Sequence, residues 1–224
     1  MAREAVVFDL DGTLTETEPI WDKVRRGLAA QDGLPWPDTA TVDMIGMSTQ
    51  EWSAYLSDVV GLRGDAEDAR RRTLAGMLAE YREHLPVMPG AVATLRRLHE
   101  RWPLGLATSA ARVLIDAAIT AMGVADLFDV TVTSEELGGV GKPAPDVYLE
   151  ACRLLDVAPA RAVAVEDATA GIQSARAAGM AVIAVPPAFS PPPDDVLAQA
   201  DAVVSSLSQI TPELVERLVG RDQP

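Results

Sequence analysis

The chain has a single cysteine, Cys152, and few aromatic residues, which make up 4% of its 224 positions. One cysteine excludes an intramolecular disulfide framework and leaves no CxxC pair for a metal. We therefore expect Cys152 to be a small buried residue of a helix. The AVILMFWYC set still amounts to 48% of the chain, much of it Ala and Val. This composition suits Ala-rich helices packed on Val-rich strands.

Long apolar runs and basic surfaces are also lacking. No stretch approaches the ~20 apolar residues that a membrane span requires, and the charged opening does not resemble a signal peptide. These two features predict a cytoplasmic protein with no membrane partner. The formal net charge of −14 argues against binding to nucleic acid. Because the overall field also repels anions, a phosphate ligand would need local support from a metal ion, a lysine or backbone N–H groups.

Six short apolar runs have the character of strands that are buried on both faces. Patterns of apolar residues at helical spacing lie between most of them. Strands that alternate with helices predict an α/β fold with a doubly wound, mostly parallel sheet. The six runs are Ala5–Phe8, Leu104–Ala107, Val130–Val132, Ala162–Val165, Ala181–Val185 and Ala202–Val204.

The stretch from about Glu18 to Leu85 interrupts this alternation, because its apolar residues recur at helical spacing and no apolar strand is evident. We interpret it as a helical cap inserted after the first strand. Pro and Gly around Pro86–Gly90 are typical of a domain boundary. The predicted division assigns residues 1–15 and 87–224 to a catalytic core and residues 16–86 to the cap.

The first strand runs into Asp9-Leu10-Asp11-Gly12-Thr13. If the strand continues through them, Asp9 and Asp11 point the same way. Two adjacent carboxylates repel each other unless a cation lies between them, so the pair suggests Mg²⁺. Gly12 permits a tight turn whose N–H groups could face an anion. An Asx-type turn at the end of the strand explains the same residues.

Three later strands also end in polar residues, where parallel sheets bind ligands. Thr108 and Ser109 follow the second strand, where they suit either an anion site or an ordinary helix N-cap. Lys142 lies between glycine and prolines, which suits charge neutralisation on a phosphoryl group, although most loop lysines are simply solvated. Glu166 and Asp167 follow the fourth strand, where they suit a metal site, with Asp167 as a helix N-cap the alternative.

Taken together and in this order, these residues resemble the four motifs of the haloacid dehalogenase (HAD) superfamily. Those motifs are DxDGT, a hydrophobic strand ending in Thr or Ser, a Lys in GKPxPD, and an ED pair followed by Gly. The segment after strand 1 resembles the helical cap of the subfamily that contains β-phosphoglucomutase and small sugar-phosphate phosphatases. Glu16 departs from that subfamily's opening, DxDGTLxDSEP, where Asp is more usual.

The resemblance implies a Mg²⁺-dependent phosphatase in which Asp9 forms an aspartyl-phosphate and Asp11 acts as general acid and base. Mg²⁺ would be held by the Asp9 carboxylate, the Asp11 carbonyl and Asp167, with Glu166 bound directly or through water. Charge on the transferring oxygens would be stabilised by further groups. These are Thr108, Lys142 and the N–H groups of Leu10, Asp11, Gly12 and Ser109.

The substrate would be a small phosphorylated metabolite, such as a sugar or polyol phosphate, handled by a monomer or weak homodimer. In the cap, Glu18, Trp21 and Thr49 are candidate substrate contacts. Tryptophans of a cap also pack helices together, so packing is the alternative for Trp21.

Two other activities and one non-catalytic role are the alternatives on this fold. The intact Asp11 favours phosphate esters over dehalogenation. A mutase would need a cap arginine for a second phosphate, and the matching stretch, Gly46-Met47-Ser48-Thr49, ends in an uncharged residue. Arg25 or Arg82 could supply that charge instead. A non-catalytic phosphate-binding module remains as a different class, although Asp9 and Asp11 are both present.

Overall fold

The computed structural model describes residues 3–44 and 47–219. Its centre is a six-stranded sheet of order β3-β2-β1-β4-β5-β6, in which each pair of neighbours is parallel. The strands are β1 (Ala5–Phe8), β2 (Leu104–Thr108), β3 (Val130–Thr133), β4 (Ala162–Glu166), β5 (Ala181–Ala184) and β6 (Ala202–Val203). Each lies on one of the six predicted runs.

Helices cover both faces of this sheet. Along β1, Val6 and Phe8 contribute to one apolar cluster, whereas Ala5 and Val7 contribute to the other. This alternation follows from the period of two in a strand. Burial on both faces explains the continuous apolar runs, and the predicted doubly wound α/β fold is confirmed.

The α-helices are α1 (Glu18–Gln31), α2 (Ala40–Asp43), α3 (Thr49–Tyr55), α4 (Ala66–Glu83), α5 (Ala91–His99), α6 (Arg112–Ala121), α7 (Asp146–Leu155), α8 (Thr169–Ala177), α9 (Asp194–Leu197) and α10 (Pro212–Val219). A π-helical turn, Leu56–Val60, continues α3. Short 3₁₀ turns occupy Ala125–Leu127, Ser134–Leu137, Pro159–Arg161 and Leu207–Gln209.

Between β1 and α5 the described part of the chain forms helices α1 to α4 and the π-helical turn, as the apolar spacing predicts. The chain enters and leaves this segment through two neighbouring strands of backbone. Thr15 bridges Val87 in antiparallel fashion, and the Glu16 N–H donates to the Pro86 carbonyl at 2.9 Å. The predicted domain boundaries, at residues 15/16 and 86/87, therefore fall where the chain segments that enter and leave these helices lie side by side.

Cys152 is a buried residue of α7. It is 1% exposed, and burial raises the pKa of its thiol to about 11. This agrees with the predicted packing role, since a protonated thiol is a poor nucleophile.

Among the helices of residues 3–44 and 47–219, none combines the length and apolarity of a membrane span.

Candidate active site

The carboxyl end of β1 is the topological switch point of the sheet. β2 and β3 lie on one side of β1, and β4 to β6 lie on the other. Asp9 follows the last residue of β1, and its N–H donates to the Val165 carbonyl of β4 at 3.0 Å. The side chain is therefore fixed at the position where open α/β sheets bind ligands.

Three buried carboxylates meet at this point. Asp9, Glu166 and Asp167 each offer an oxygen, and these oxygens lie within 4.8 Å of one another. The ammonium of Lys142 lies 2.5 Å from Asp9 Oδ1 and 2.6 Å from Glu166 Oε1. One cation cannot balance three carboxylates if all are ionised, so the cluster needs either protons or a further positive charge. A buried, all-oxygen set of this kind fits a hard divalent cation.

Lys142 is held in place by contacts other than its ion pairs. Its ammonium donates to the Ala107 carbonyl at 2.9 Å and lies 3.3 Å from the Tyr148 hydroxyl. The side chain is 7% exposed. Burial disfavours the charged form, but Asp9 and Glu166 outweigh it and raise the pKa of Lys142 above its usual value. Lys142 is therefore a fixed positive charge.

Burial also disfavours the charged forms of the two neighbouring acids, Glu166 and Asp167. It raises the pKa of Glu166 to about 7, with Lys142 opposing the rise. It also raises the pKa of Asp167 well above the ordinary range, and the Asp9 charge adds to this effect. Without a metal the cluster therefore retains protons near neutral pH. A divalent cation would displace them, which couples metal binding to pH.

Metal-free protein should lose stability as the pH rises from about 4.5 to about 7. In this range Glu166 keeps its proton in the folded state, whereas the unfolded chain has released it. The folded state then binds more protons, so a rising pH lowers the free energy of unfolding. Urea unfolding in the presence of EDTA measures this slope, and saturating Mg²⁺ should flatten it. Stability that increases over the same range without metal would contradict the expectation.

Gly12 makes room for one of these acids. Its φ is +87°, and a Cβ at this position would overlap the Asp167 carboxylate. The Gly12 N–H already donates to the Thr15 carbonyl at 2.7 Å. Its predicted role as an anion donor is therefore not available in this arrangement. Asp167 accepts a hydrogen bond from Thr13 at 3.1 Å. It does not cap α8, whose N-cap is Ala168.

Gly171 makes room for the Glu166 carboxylate, because a Cβ on Gly171 would overlap that carboxylate. We expect Gly171→Ala to displace that carboxylate and to weaken divalent-metal binding by about 10-fold or more, as changes close to metal ligands do. Isothermal titration with Mn²⁺ measures the affinity. Gly27→Ala is the control for loss of a helical glycine, because Gly27 lies within α1 and a Cβ there meets nothing within 4 Å. Equal Mn²⁺ affinity in wild type and Gly171→Ala would contradict this role.

Asp11 lies beside the three-carboxylate cluster. β1 ends at Phe8, so the condition for Asp9 and Asp11 to point the same way is not met. The Thr17 hydroxyl donates to the Asp11 carboxylate in a short hydrogen bond. Burial raises the pKa of Asp11 to about 7, with Thr17 opposing the rise and Asp9 adding to it. Metal binding through the Asp11 carbonyl remains a prediction.

Thr108, the last residue of β2, and Ser109, the next residue, are not helix caps. α6 begins at Arg112 with Ala111 as its N-cap, so the capping alternative for Thr108 and Ser109 is wrong. The Thr108 hydroxyl accepts from the Ala110 N–H at 3.1 Å. Ser109 Oγ accepts from the Lys142 N–H at 3.3 Å, which ties the two loops together. Contacts of Thr108 and Ser109 with a substrate remain predictions.

The two predicted substrate contacts on α1, Glu18 and Trp21, differ in their exposure. Glu18 is exposed in the first turn, as a substrate contact would need. Trp21 is 7% exposed, and its ring centroid lies 5.5 Å from that of Trp52. The guanidinium of Arg25 lies over the Trp21 ring, 4.5 Å from its centroid. These contacts support the packing alternative for Trp21.

Thr49 is the first residue of α3, which Ser48 and Glu51 cap reciprocally. It lines a cleft of about 500 Å³ between α3, α4 and the turn after β3. Neither Asp9 nor Lys142 lines this cleft, so the carboxylate cluster lies outside it. Leu10 is fully buried, and its carbonyl accepts from the Thr15 N–H at 3.0 Å. Gly46, which precedes this helix in the motif comparison, lies outside the described residues.

Four residues support the site without having been predicted to do so. Thr13 and Thr17 hold Asp167 and Asp11, Tyr148 contacts Lys142 and Glu166, and Gly171 leaves room for Glu166. Thr13 and Gly171 belong to the recognised motifs, so a signal for them existed. Tyr148 lies on an apolar helix face, where its pattern is that of a core residue.

Comparisons with known proteins agree with this geometry. A family model described as haloacid dehalogenase-like hydrolase matches residues 4–179. Validoxylamine A 7'-phosphate phosphatase of Streptomyces hygroscopicus subsp. limoneus is 32% identical, over 92% of this chain and 95% of its own. Hexitol phosphatase B of Escherichia coli is 30% identical, over 92% and 94%.

Among solved structures, CbbY from Rhodobacter sphaeroides in complex with xylulose-(1,5)bisphosphate has a TM-score of 0.83 at 27% identity, covering 92% of this chain and 96% of its own. The relatives confirm the predicted enzyme class, a phosphoric monoester hydrolase. Since the family model matches more than half of the sequence, the chain belongs to the haloacid dehalogenase-like hydrolase family.

Proposed function

We propose that the chain is a Mg²⁺-dependent phosphatase that hydrolyses a small sugar or polyol phosphate through an aspartyl-phosphate. The observation that carries this proposal is the position of Asp9. Asp9 lies at the switch point of the sheet, in a buried cluster with Glu166 and Asp167, and is ion-paired with Lys142 at 2.5 Å. A carboxylate nucleophile, a fixed cation and further acids are what phosphoryl transfer through an enzyme carboxylate requires.

In the first step, an Asp9 oxygen forms a bond to phosphorus while the ester P–O bond breaks. Asp11 donates its proton to the departing alcohol oxygen. In the second step, Asp11 takes a proton from water, and that water's oxygen bonds to phosphorus. The Asp9–phosphorus bond then breaks, which releases inorganic phosphate and restores both aspartates. A pKa of about 7 at Asp11 supports this exchange, because both protonation states are populated near neutral pH.

The residues that would hold Mg²⁺ are Asp9, Asp167 and Glu166, together with the carbonyl of Asp11. When bound, the ion supplies positive charge next to the phosphoryl oxygens. Lys142 adds a second fixed charge through its ammonium, which is held by Ala107 and Tyr148 as well as by the acids. Thr108 and the N–H group of Ser109 complete the proposed set around the phosphoryl group.

We propose that residues 16–86 form a cap that covers this site. The Thr17 hydroxyl reaches the Asp11 carboxylate directly. Across the cleft, the Arg70 guanidinium of α4 lies 3.3 Å from Glu135, at the end of the sheet. Closure over the substrate would exclude bulk water from the aspartyl-phosphate.

The substrate class rests on the relatives, whose names specify phosphatases of hexitols and of validoxylamine A 7'-phosphate. Hydrolysis is favoured over phosphosugar mutation, because Thr49 carries no charge for a second phosphate. We also propose a cytoplasmic enzyme, monomeric or weakly dimeric, without a nucleic-acid partner. The net charge of −14 supports the last point.

A screen of phosphorylated metabolites with Mg²⁺ and with EDTA tests this function. The expected result is Mg²⁺-dependent phosphate release, with kcat/KM highest for sugar or polyol phosphates and lower for nucleotides. Formation of glucose 6-phosphate from β-glucose 1-phosphate and a bisphosphate primer would indicate a mutase. Absence of turnover with Mg²⁺-dependent binding of beryllofluoride would leave the catalytic proposal without support. Absence of both would indicate a degenerate site.

A further inference from the structure

Arg25 is a buried cation that the proposed phosphoryl chemistry does not use. The residue is 7% exposed in the middle of α1. Within residues 3–44 and 47–219 it makes no salt bridge, and its buried Nε has no hydrogen-bond partner. The next residue, Arg26, is exposed and pairs with Asp22 at 2.7 Å. A buried guanidinium without a carboxylate partner is costly unless something else satisfies it.

Two indole rings fix the position of this guanidinium. It lies 4.5 Å from the Trp21 centroid and 5.5 Å from the Trp52 centroid. Stacking on aromatic faces stabilises the charge and leaves the N–H edge free for hydrogen bonds in its plane. Trp21 and Trp52 therefore act as supports that orient Arg25.

The guanidinium faces the catalytic end of α1. Helical side chains lean towards the helix N-terminus, and the Arg25 head lies at the level of Trp21, about one turn back. The residue before the helix, Thr17, contacts the Asp11 carboxylate. Burial lowers the pKa of Arg25 to about 10, while the charges of Glu18, Asp22 and Asp11 oppose this. Glu18 lies in the first turn of the same helix, seven residues before Arg25 and so on the same helix face.

On the basis of the proposed phosphatase function, we infer that Arg25 and Glu18 form a specificity site for the hydroxyl groups of a polyol or sugar phosphate. Arg25 offers only donors, and an ionised Glu18 offers only acceptors. A hydroxyl can accept from the first and donate to the second. A second phosphate fits less well, because it would lie near the negative charges of Glu18, Asp22 and Asp11.

Arg25→Met tests this site, with Arg25→Lys as the variant that keeps the charge and loses the planar fork. We expect kcat/KM for glucitol 6-phosphate to fall about 10- to 100-fold, the range for a hydrogen bond to a charged group. The fall should appear mainly in KM, because this contact does not change during the reaction. Activity on p-nitrophenyl phosphate, which lacks these hydroxyls, should change less than about 3-fold.

Arg26→Met is the matched control, since Arg26 lies on the same helix with an exposed side chain. Equal losses on both substrates would overturn the assignment and indicate a structural role. 6-Phosphogluconate ends in a carboxylate. A fall in kcat/KM that is larger for 6-phosphogluconate than for glucitol 6-phosphate would show that Arg25 binds an anion and not a hydroxyl. Neither result contradicts the proposed phosphatase function, which wild type tests separately.

Calorimetric binding of glucitol 6-phosphate in the presence of Mg²⁺ separates this inference from the proposed function. If wild type hydrolyses neither substrate, the phosphatase proposal fails, but binding still reports on Arg25. Weaker binding to Arg25→Met than to wild type and Arg26→Met supports the site. Equal binding to all three proteins, or none to wild type, overturns it.

Discussion

Asp9→Asn should lower the hydrolysis of p-nitrophenyl phosphate by at least about 10⁴-fold, the scale seen when an enzyme loses its nucleophile. An amide has nearly the same shape as the carboxylate but cannot attack phosphorus or carry the ion pair with Lys142. Asp9 directly follows β1, which is paired with β2 on one side and β4 on the other, so its backbone is held in place. Steady-state rates with Mg²⁺ measure the loss.

A control variant separates chemistry from a general loss of acidic charge. Asp126→Asn removes a carboxylate from the exposed turn after α6 and should retain wild-type activity. The Asp9 variant should also no longer accept label from a ³²P-phosphorylated substrate. Retention of more than about 1% of wild-type activity, or of the label, would assign the nucleophile to another residue.

The sequence predicts the framework of this site for a physical reason. Strands buried on both faces must be continuously apolar, so the first polar residue after each run marks the edge of the sheet. In a parallel sheet those edges coincide. Asp9 directly follows β1, and Thr108 and Glu166 are the last residues of β2 and β4, the two strands next to β1. The location of the site and the residues around it could therefore be predicted before the order of the strands was known.

Local backbone geometry was less predictable. Alternation would place Asp9 and Asp11 on one side only if β1 continued, but the strand ends at Phe8, before the turn at Gly12. That turn gives the Gly12 N–H to Thr15, which no pattern of side chains reveals. The hydrogen bonds of a turn depend on φ and ψ, which side-chain patterns constrain only weakly.

Contacts between distant residues were the least predictable. Tyr148 has the spacing of an apolar helix face, and only the fold brings its hydroxyl to Glu166. Likewise, Trp21 suits either packing or ligand contact from the sequence alone. The partner that decides between them, Trp52, lies on α3 and is 31 residues away in the chain. Pairings of this kind follow from tertiary packing.

Lys142→Met should have the second largest effect, on stability as well as on activity. Removal of one partner from a buried ion pair typically costs about 3–5 kcal/mol, because the remaining charges lose their compensation. Here Asp9 and Glu166 would both be left without the ammonium. Urea unfolding in EDTA measures the free energy, and kcat/KM should fall about 10²–10³-fold, as with loss of an oxyanion donor.

The chain offers a matched control, since its only other lysine is Lys23, which is 65% exposed and pairs with Glu80. Lys23→Met should change stability by less than about 1 kcal/mol. Mg²⁺ distinguishes the proposed site from an ordinary buried ion pair. With Lys142 removed, the cluster has one positive charge fewer, so Mg²⁺ should stabilise Lys142→Met more than it stabilises wild type. Activity should not return, because the metal restores charge balance but not the ammonium at the phosphoryl group. An equal or smaller Mg²⁺ effect in the variant would contradict a metal held by the same carboxylates that Lys142 pairs with.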